Sequence, residues 1–162
     1  MGVILCYICP ECGYCFGGNF GVGMMFPHKY METAEEMKNG EKGEEAKKFF
    51  AEHPDGAVNC KYVLMRCTEC GQYDCREDLT MYVPKEGYTH NIPKGKWSVA
   101  MPFSGCDYVS DYEREECYTV FAEYPHKCEK CGGDMKILHD DDVKTCPNCG
   151  TELEEHECGC WD

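Results

Sequence analysis

CPECG, residues 9–13, places two cysteines two residues apart with a glycine directly after the second. Three further stretches repeat the form: CTECG (67–71), CEKCG (128–132) and CPNCG (146–150). Two intervening residues let both sulfurs of such a turn point at one spot, about 2.3 Å from a zinc ion. Backbone N–H groups within the turn can donate to the thiolates and spread their charge. The trailing glycine takes a backbone angle that a side chain would resist. Two such turns facing each other complete a tetrahedron. The candidate metal ligands are therefore Cys9, Cys12, Cys67, Cys70, Cys128, Cys131, Cys146 and Cys149.

Cysteine supplies 16 of the 162 residues. In a short secreted chain that density would indicate a disulfide scaffold. The opening MGVILCYI is apolar but has no basic start, and the run stops at Pro10 and Glu11. No apolar stretch approaches the roughly 18–20 residues of a membrane span. A reducing cytoplasm is the expected location, and there paired cysteines indicate metal or redox chemistry. Ile, Leu, Val and Phe together supply 25 residues. A share below ~20 per cent with high net charge tends toward disorder. Metal cross-links are therefore expected to support the fold. The formal charge is −14, and each zinc held by four thiolates adds about −2 more. Such a chain repels phosphate backbones at long range, which disfavours nucleic acid as a partner.

The chain reads as a small α+β protein. Ile4 to Ile8 form a strand leading into the first knuckle, and GGNFGVG (17–23) reads as a glycine-rich loop without either phosphate-binding pattern. Tyr30, Met31, Ala34 and Met37 recur at helical spacing until Asn39-Gly40, and a second helix is expected over 43–53. Met24, Met25, His28 and Met31 are a conceivable copper cluster, but core packing explains methionines better. Strands are expected over 62–65, 79–83, 117–124 and 135–138. Residues 84–116 read as loop with one short strand around Trp97 to Met101.

Cys128, Cys131, Cys146 and Cys149 give C-x2-C-x14-C-x2-C, close to a zinc spacing. Cys9 and Cys12 make the other set with Cys67 and Cys70, with 54 residues between the pairs. Loop closure separates the two sets by only about 1.2 kcal/mol, small against roughly 10 kcal/mol or more for zinc binding. Sequential pairing is expected, because it needs no crossing chain: 9/12 with 67/70, and 128/131 with 146/149. Interleaved pairing, with Cys9 and Cys12 facing Cys128 and Cys131, is the competitor. Cys6, Cys9, Cys12 and Cys15 are evenly spaced, so CYIC and CGYC compete with the middle pair. Only the middle pair has both the proline and the trailing glycine.

The four knuckles resemble those of zinc-ribbon proteins, over most of 123–155 and more loosely over 3–16 with 60–83. The resemblance implies two four-cysteine zinc sites in two ribbons, the first with a helical insertion at about 28–53, joined by a loop-rich segment. The domains expected are 1–83, a linker or insert at 84–116, and 117–162. YICPECGY also resembles rubredoxin, which would imply iron and electron transfer at the N-terminal site. Ribbons occur in transcription factors, enzymes and adaptors, so no one activity is implied.

Eight cysteines lie outside the knuckles, and most read as small buried groups. The C-terminal HECGCWD differs, because His156, Cys158 and Cys160 would share one face of a strand. With Cys106 or Cys117 they are candidates for a third metal site, or Cys158 and Cys160 for a redox pair. No HExxH, GxSxG or deaminase pattern is present, and closed all-cysteine sites leave no open ligand position for catalysis. Residues 123–151 carry four lysines against six acidic groups, so no basic stripe emerges. The expected function is a cytoplasmic zinc-binding module that is not an enzyme and acts on a protein partner. Its candidate partner surfaces are the acidic helical pair (30–53) and the 84–116 segment. A nucleic-acid-binding ribbon and a thiol redox or metal-handling protein are the alternatives.

Overall fold

The structure is a computed structural model and describes residues 2–91 and 106–161. The strand expected around Trp97 to Met101 lies outside them. Among the described residues, three small antiparallel sheets and three helices divide into two compact units. Neither unit is a continuous stretch of chain. The first comprises residues 1–24, 61–78 and 125–162, and the second comprises 25–60 and 79–124. This division departs from the boundaries 1–83, 84–116 and 117–162. The physical reason is that the last strands of the chain return to pair with early ones.

In the first unit, β1 (Gly2–Ile8) and β2 (Cys15–Phe20) form a hairpin whose tip is the first knuckle. The C-terminal strand β9 (Glu154–Trp161) pairs along the other edge of β1. The second sheet repeats this plan. Strands β4 (Tyr62–Cys67) and β5 (Tyr73–Glu77) form a hairpin around the second knuckle, and β8 (Met135–Ile137) pairs with β4. The sheet orders β2-β1-β9 and β5-β4-β8 are therefore the same topology used twice.

The two sheets share one core. Phe16 stacks between Tyr7 and Tyr73, with ring centroids 4.9 and 4.8 Å away. Leu64, Phe20 and Leu153 close around these rings. Gly21 and Tyr62 exchange backbone hydrogen bonds of 2.9 and 3.0 Å. GGNFGVG is thus not a loop throughout, since its first four residues belong to β2. Glycine serves there by leaving space: a Cβ on Gly18 would lie 2.6 Å from the Cys75 Cβ.

The second unit is inserted twice between strands of the first. Helix α1 (Phe26–Asn39) buries Tyr30, Thr33, Ala34 and Met37, and α2 (Glu44–Glu52) buries Ala46, Phe49 and Phe50. Gly40, at φ 87°, ends α1 where the Asn-Gly pair was expected to stop it. Met24 and Met25 are not core residues, being 58 and 50 % exposed. A three-stranded sheet of β3 (Ala57–Val58), β6 (Met81–Pro84) and β7 (Tyr118–Ala122) packs with the helices through Val58, Met81 and Tyr118. Helix α3 (Asp111–Cys117) was not foreseen. Its signal was present as S-x-x-E over 110–113: the Ser110 hydroxyl accepts from the Glu113 amide at 3.2 Å.

Candidate metal centres

All four knuckles have one geometry. The amide of the first cysteine donates to the carbonyl five residues on: Cys9 to Tyr14 (2.8 Å), Cys67 to Gln72 (2.9 Å), Cys128 to Gly133 (2.8 Å) and Cys146 to Thr151 (2.7 Å). The trailing glycine amide donates back to the first cysteine's carbonyl in each, at 2.8 to 3.1 Å. That turn needs a left-handed residue, and Gly13, Gly71, Gly132 and Gly150 have φ between 70 and 78°.

The knuckles assemble into two tetrads: Cys9, Cys12, Cys146 and Cys149, and Cys67, Cys70, Cys128 and Cys131. All eight expected ligands are placed in these groups, but neither the sequential nor the interleaved pairing is correct. The pairing is nested. Residues 13–145 separate the outer knuckles and 71–127 separate the inner ones. Against the sequential arrangement, nesting costs about 2 kcal/mol in loop closure. Strand pairing outweighs this, since β9 carries the last knuckle back to β1 over seven residue pairs. The third and fourth knuckles are tips of minimal hairpins, each closed by one bridge, Lys127 with Asp134 and Thr145 with Glu152.

Within each tetrad the first cysteine of one knuckle faces the second of the other. Sulfur separations are 3.4 Å for Cys9–Cys149, 3.5 Å for Cys12–Cys146, 3.4 Å for Cys67–Cys131 and 3.7 Å for Cys70–Cys128. A disulfide would require about 2.05 Å. Four sulfurs about 2.3 Å from a central zinc would stand about 3.8 Å apart, so the tetrads are close to the edge length of a metal-thiolate tetrahedron. The first cysteines, Cys9, Cys67, Cys128 and Cys146, are only 1 to 4 % exposed, while Cys12, Cys131 and Cys149 reach solvent.

The electrostatics fit a cation. The Cys70 amide, 3.5 Å from the Cys67 sulfur, leads the contacts that draw Cys67 down to about 6. Contact with the Thr151 hydroxyl and amide draws Cys149 down to about 6. Their neighbours go the other way. The Tyr14 amide favours a Cys12 thiolate, yet hydrogen bonds that the Cys12 thiol donates within the tetrad, to Cys146 above all, push Cys12 up to about 12. Cys131 behaves alike: the Gly133 amide lowers it, and Cys67, Cys70 and Cys128 raise it to about 12. Four thiolates this close repel one another, so each tetrad keeps one readily ionised sulfur beside one held as a thiol. A divalent cation removes that conflict.

Other residues around the centres were not foreseen. Thr68 bonds the Asp134 carbonyl through its amide (2.9 Å) and hydroxyl (3.1 Å), joining the two inner knuckles. A Cβ on Gly133 would lie 2.6 Å from the Glu69 Cγ and 3.2 Å from the Cys67 sulfur. His126, whose pKa is lowered chiefly by burial, bonds the Asp78 carbonyl at 2.7 Å and fixes the start of the third knuckle. Only the glycine after CEKCG marked this crowding in the sequence.

The third site is not brought together among the described residues, where the two tetrads are the groups found. Cys106 and Cys117 belong to the second unit, whereas His156, Cys158 and Cys160 belong to the first. Nor do those three share a face. A bulge in β9 sets His156 opposite Cys6, Glu157 opposite Leu5, Gly159 opposite Ile4 and Cys160 opposite Val3. Skipping Cys158 reverses the alternation, which puts His156 and Cys160 on opposite faces.

No helix among the described residues is long and apolar enough to cross a membrane. Comparisons with protein-family models, with curated protein sequences and with solved structures found no match to this chain. Fold and site therefore define the chain by its chemistry: a small α+β protein with two tetracysteine groups, each of which could hold a metal ion.

Proposed function

We propose that the chain is a cytoplasmic, zinc-stabilised recognition module that is not an enzyme. The observation that carries this reading is the pair of tetrads with sulfurs 3.4 to 3.7 Å apart. Four thiolates saturate a tetrahedral zinc and leave no position for a substrate or water, so such centres act by holding structure. The repeated three-stranded plan supports two zinc ribbons, both built from discontinuous chain. Elemental analysis of the purified chain tests the metal: two zinc ions per chain are expected, with sulfur-only coordination by X-ray absorption. Iron in the outer centre would indicate the rubredoxin-like alternative, and a metal-free protein would refute the reading.

The recognition surface is proposed in the second unit. A cleft of about 530 Å³ opens between α1 and residues 88–90 and 107–109. These are parts of the two segments the sequence marks as partner surfaces. Aromatic side chains of Tyr30, Phe50 and Tyr118 meet carboxylates of Glu35, Asp55 and Asp107 there. The Tyr118 hydroxyl is buried and has no hydrogen-bond partner among the described residues. Three carboxylates at the rim against one lysine, Lys38, which pairs with Glu35 at 3.4 Å, leave a net acidic mouth on a chain of charge −14 and suit a basic segment of a partner protein. Peptide-array binding tests this. Lys- and Arg-containing peptides should bind, and Asp55→Asn with Asp107→Asn should weaken them several-fold and flatten the salt dependence. Equal binding of acidic peptides would refute it.

A further inference from the structure

Eight cysteines stand outside the tetrads, and the bulge in β9 gives two of them a specific relation. Cys6, in the middle of β1, lies opposite His156 on one side and Gly17 on the other. Because residue 17 has no side chain, the Cys6 sulfur is left uncovered: even a Cβ there would come to 3.2 Å from it. Cys158 is the bulge residue, skipped between the Glu157–Leu5 and Gly159–Ile4 pairs. The bulge sets Cys158 diagonally across from Cys6, and its thiol donates to the carbonyl of His156, the residue paired with Cys6, at 3.6 Å. Cys158 is exposed and Cys6 is partly so. His156 and Cys15, on the same sheet face, do not complete a metal-ligand group with them among the described residues. What remains is a dithiol, spanning two paired strands on the solvent face of the first sheet.

We propose that Cys6 and Cys158 form a reversible disulfide that fastens β9 to β1. A hydroperoxide is the oxidant. The exposed Cys158 sulfur, as thiolate, attacks the O–O bond, becomes a sulfenic acid and releases hydroxide. The Cys6 sulfur then displaces the sulfenic oxygen. Two thiols and one hydrogen peroxide give one disulfide and two waters, and a dithiol reductant reverses the reaction. Exposure supports this division: Cys158 reaches the oxidant, while Cys6 is partly covered and its proximity to Cys158 holds its thiol above the ordinary range. The link also has a consequence for the outer tetrad. Cys6 precedes the 9–12 knuckle by three residues, and β9 follows the 146–149 knuckle. The disulfide would hold those knuckles together from behind, so the oxidised chain should surrender metal to a chelator several-fold more slowly. That second effect rests on the zinc reading, while the disulfide itself does not.

The test treats the purified, reductant-free full chain with one equivalent of hydrogen peroxide. Free thiols are then blocked and the linkages mapped by mass spectrometry without reduction, with metal content measured in parallel. The expected first product is the Cys6–Cys158 disulfide with metal content unchanged. It should be absent in Cys158→Ser and in Cys6→Ser, present in Cys15→Ser and Cys160→Ser, and cleared by a dithiol. Cys158 is exposed in a bulge, so its variant leaves the core intact. A first disulfide within the tetrads, a Cys158–Cys160 linkage, or over-oxidation without any linkage would overturn the proposal. A metal-free chain that still forms the Cys6–Cys158 bond would refute the zinc reading and leave the latch standing.

Discussion

Exchanging Cys9 and Cys146 for serine together removes one ligand from each of two knuckles that are 137 residues apart in sequence. In the nested arrangement both losses fall on one tetrad, because the Cys146 sulfur lies 3.5 Å from Cys12 and the Cys9 sulfur 3.4 Å from Cys149. The inner tetrad keeps all four sulfurs. Structural zinc sites bind with about 10–16 kcal/mol. That is several times the roughly 2 kcal/mol by which nesting exceeds sequential closure, so an intact tetrad retains its ion. The variant should therefore hold one zinc tightly, against two for the parent, when titrated with a chromophoric chelator under reducing conditions. The companion variant Cys9→Ser with Cys67→Ser damages both tetrads and should hold none tightly. Sequential pairing predicts the reverse for both variants. If Cys9→Ser/Cys146→Ser releases both ions, or Cys9→Ser/Cys67→Ser keeps one, the nested pairing is wrong.

Stripping the metal should affect the two units differently. Hydrogen exchange should show lost protection in the strands of 2–24, 61–78 and 125–161, while α1 and α2, on their own apolar core, stay protected. Gly133→Ala forces a Cβ against Glu69 and Cys67 and should destabilise the inner centre by about 1–3 kcal/mol, read as earlier release of one zinc with the other unaffected. Metal binding at pH 7 should release protons from Cys12 and Cys131, both held near 12 in the metal-free tetrads. Calorimetry in buffers of different ionisation enthalpy counts them. Below about pH 6 Cys67 and Cys149 also take up protons, so each centre should lose a further factor of about ten in affinity per unit as pH falls. An affinity independent of pH there would contradict the placement of those two sulfurs.

The knuckles were legible because their chemistry is local. Two sulfurs, a turn and a left-handed glycine occupy five consecutive residues, and all four glycines adopt the angle their position demands. The pairing was not legible, because closure entropy rises only with the logarithm of length. Preferences of one or two kcal/mol for near neighbours are overridden by strands such as β9, whose run of exposed polar residues hid its extent. The HECGCWD reading failed for a related reason: a strand was expected to alternate, but one bulge residue exchanges its faces. GGNF read as a loop because its glycines suggest freedom, whereas Gly18 is needed for the approach of Cys75. Helix α3 was the recoverable miss, since its capping pair stands in the sequence.

Nesting also orders assembly in time. As the chain leaves the ribosome, the inner centre can close once Cys131 has emerged, whereas the outer one must wait for Cys149. Until then β1 lacks its C-terminal neighbour, and the 9–12 knuckle has no partner to complete it. Maturation thus runs from the inside outward, and a chain broken off before the last knuckle carries one finished centre and one half-built clasp. Such a fragment would present the Cys9 and Cys12 thiols without the two partners that the 146–149 knuckle supplies.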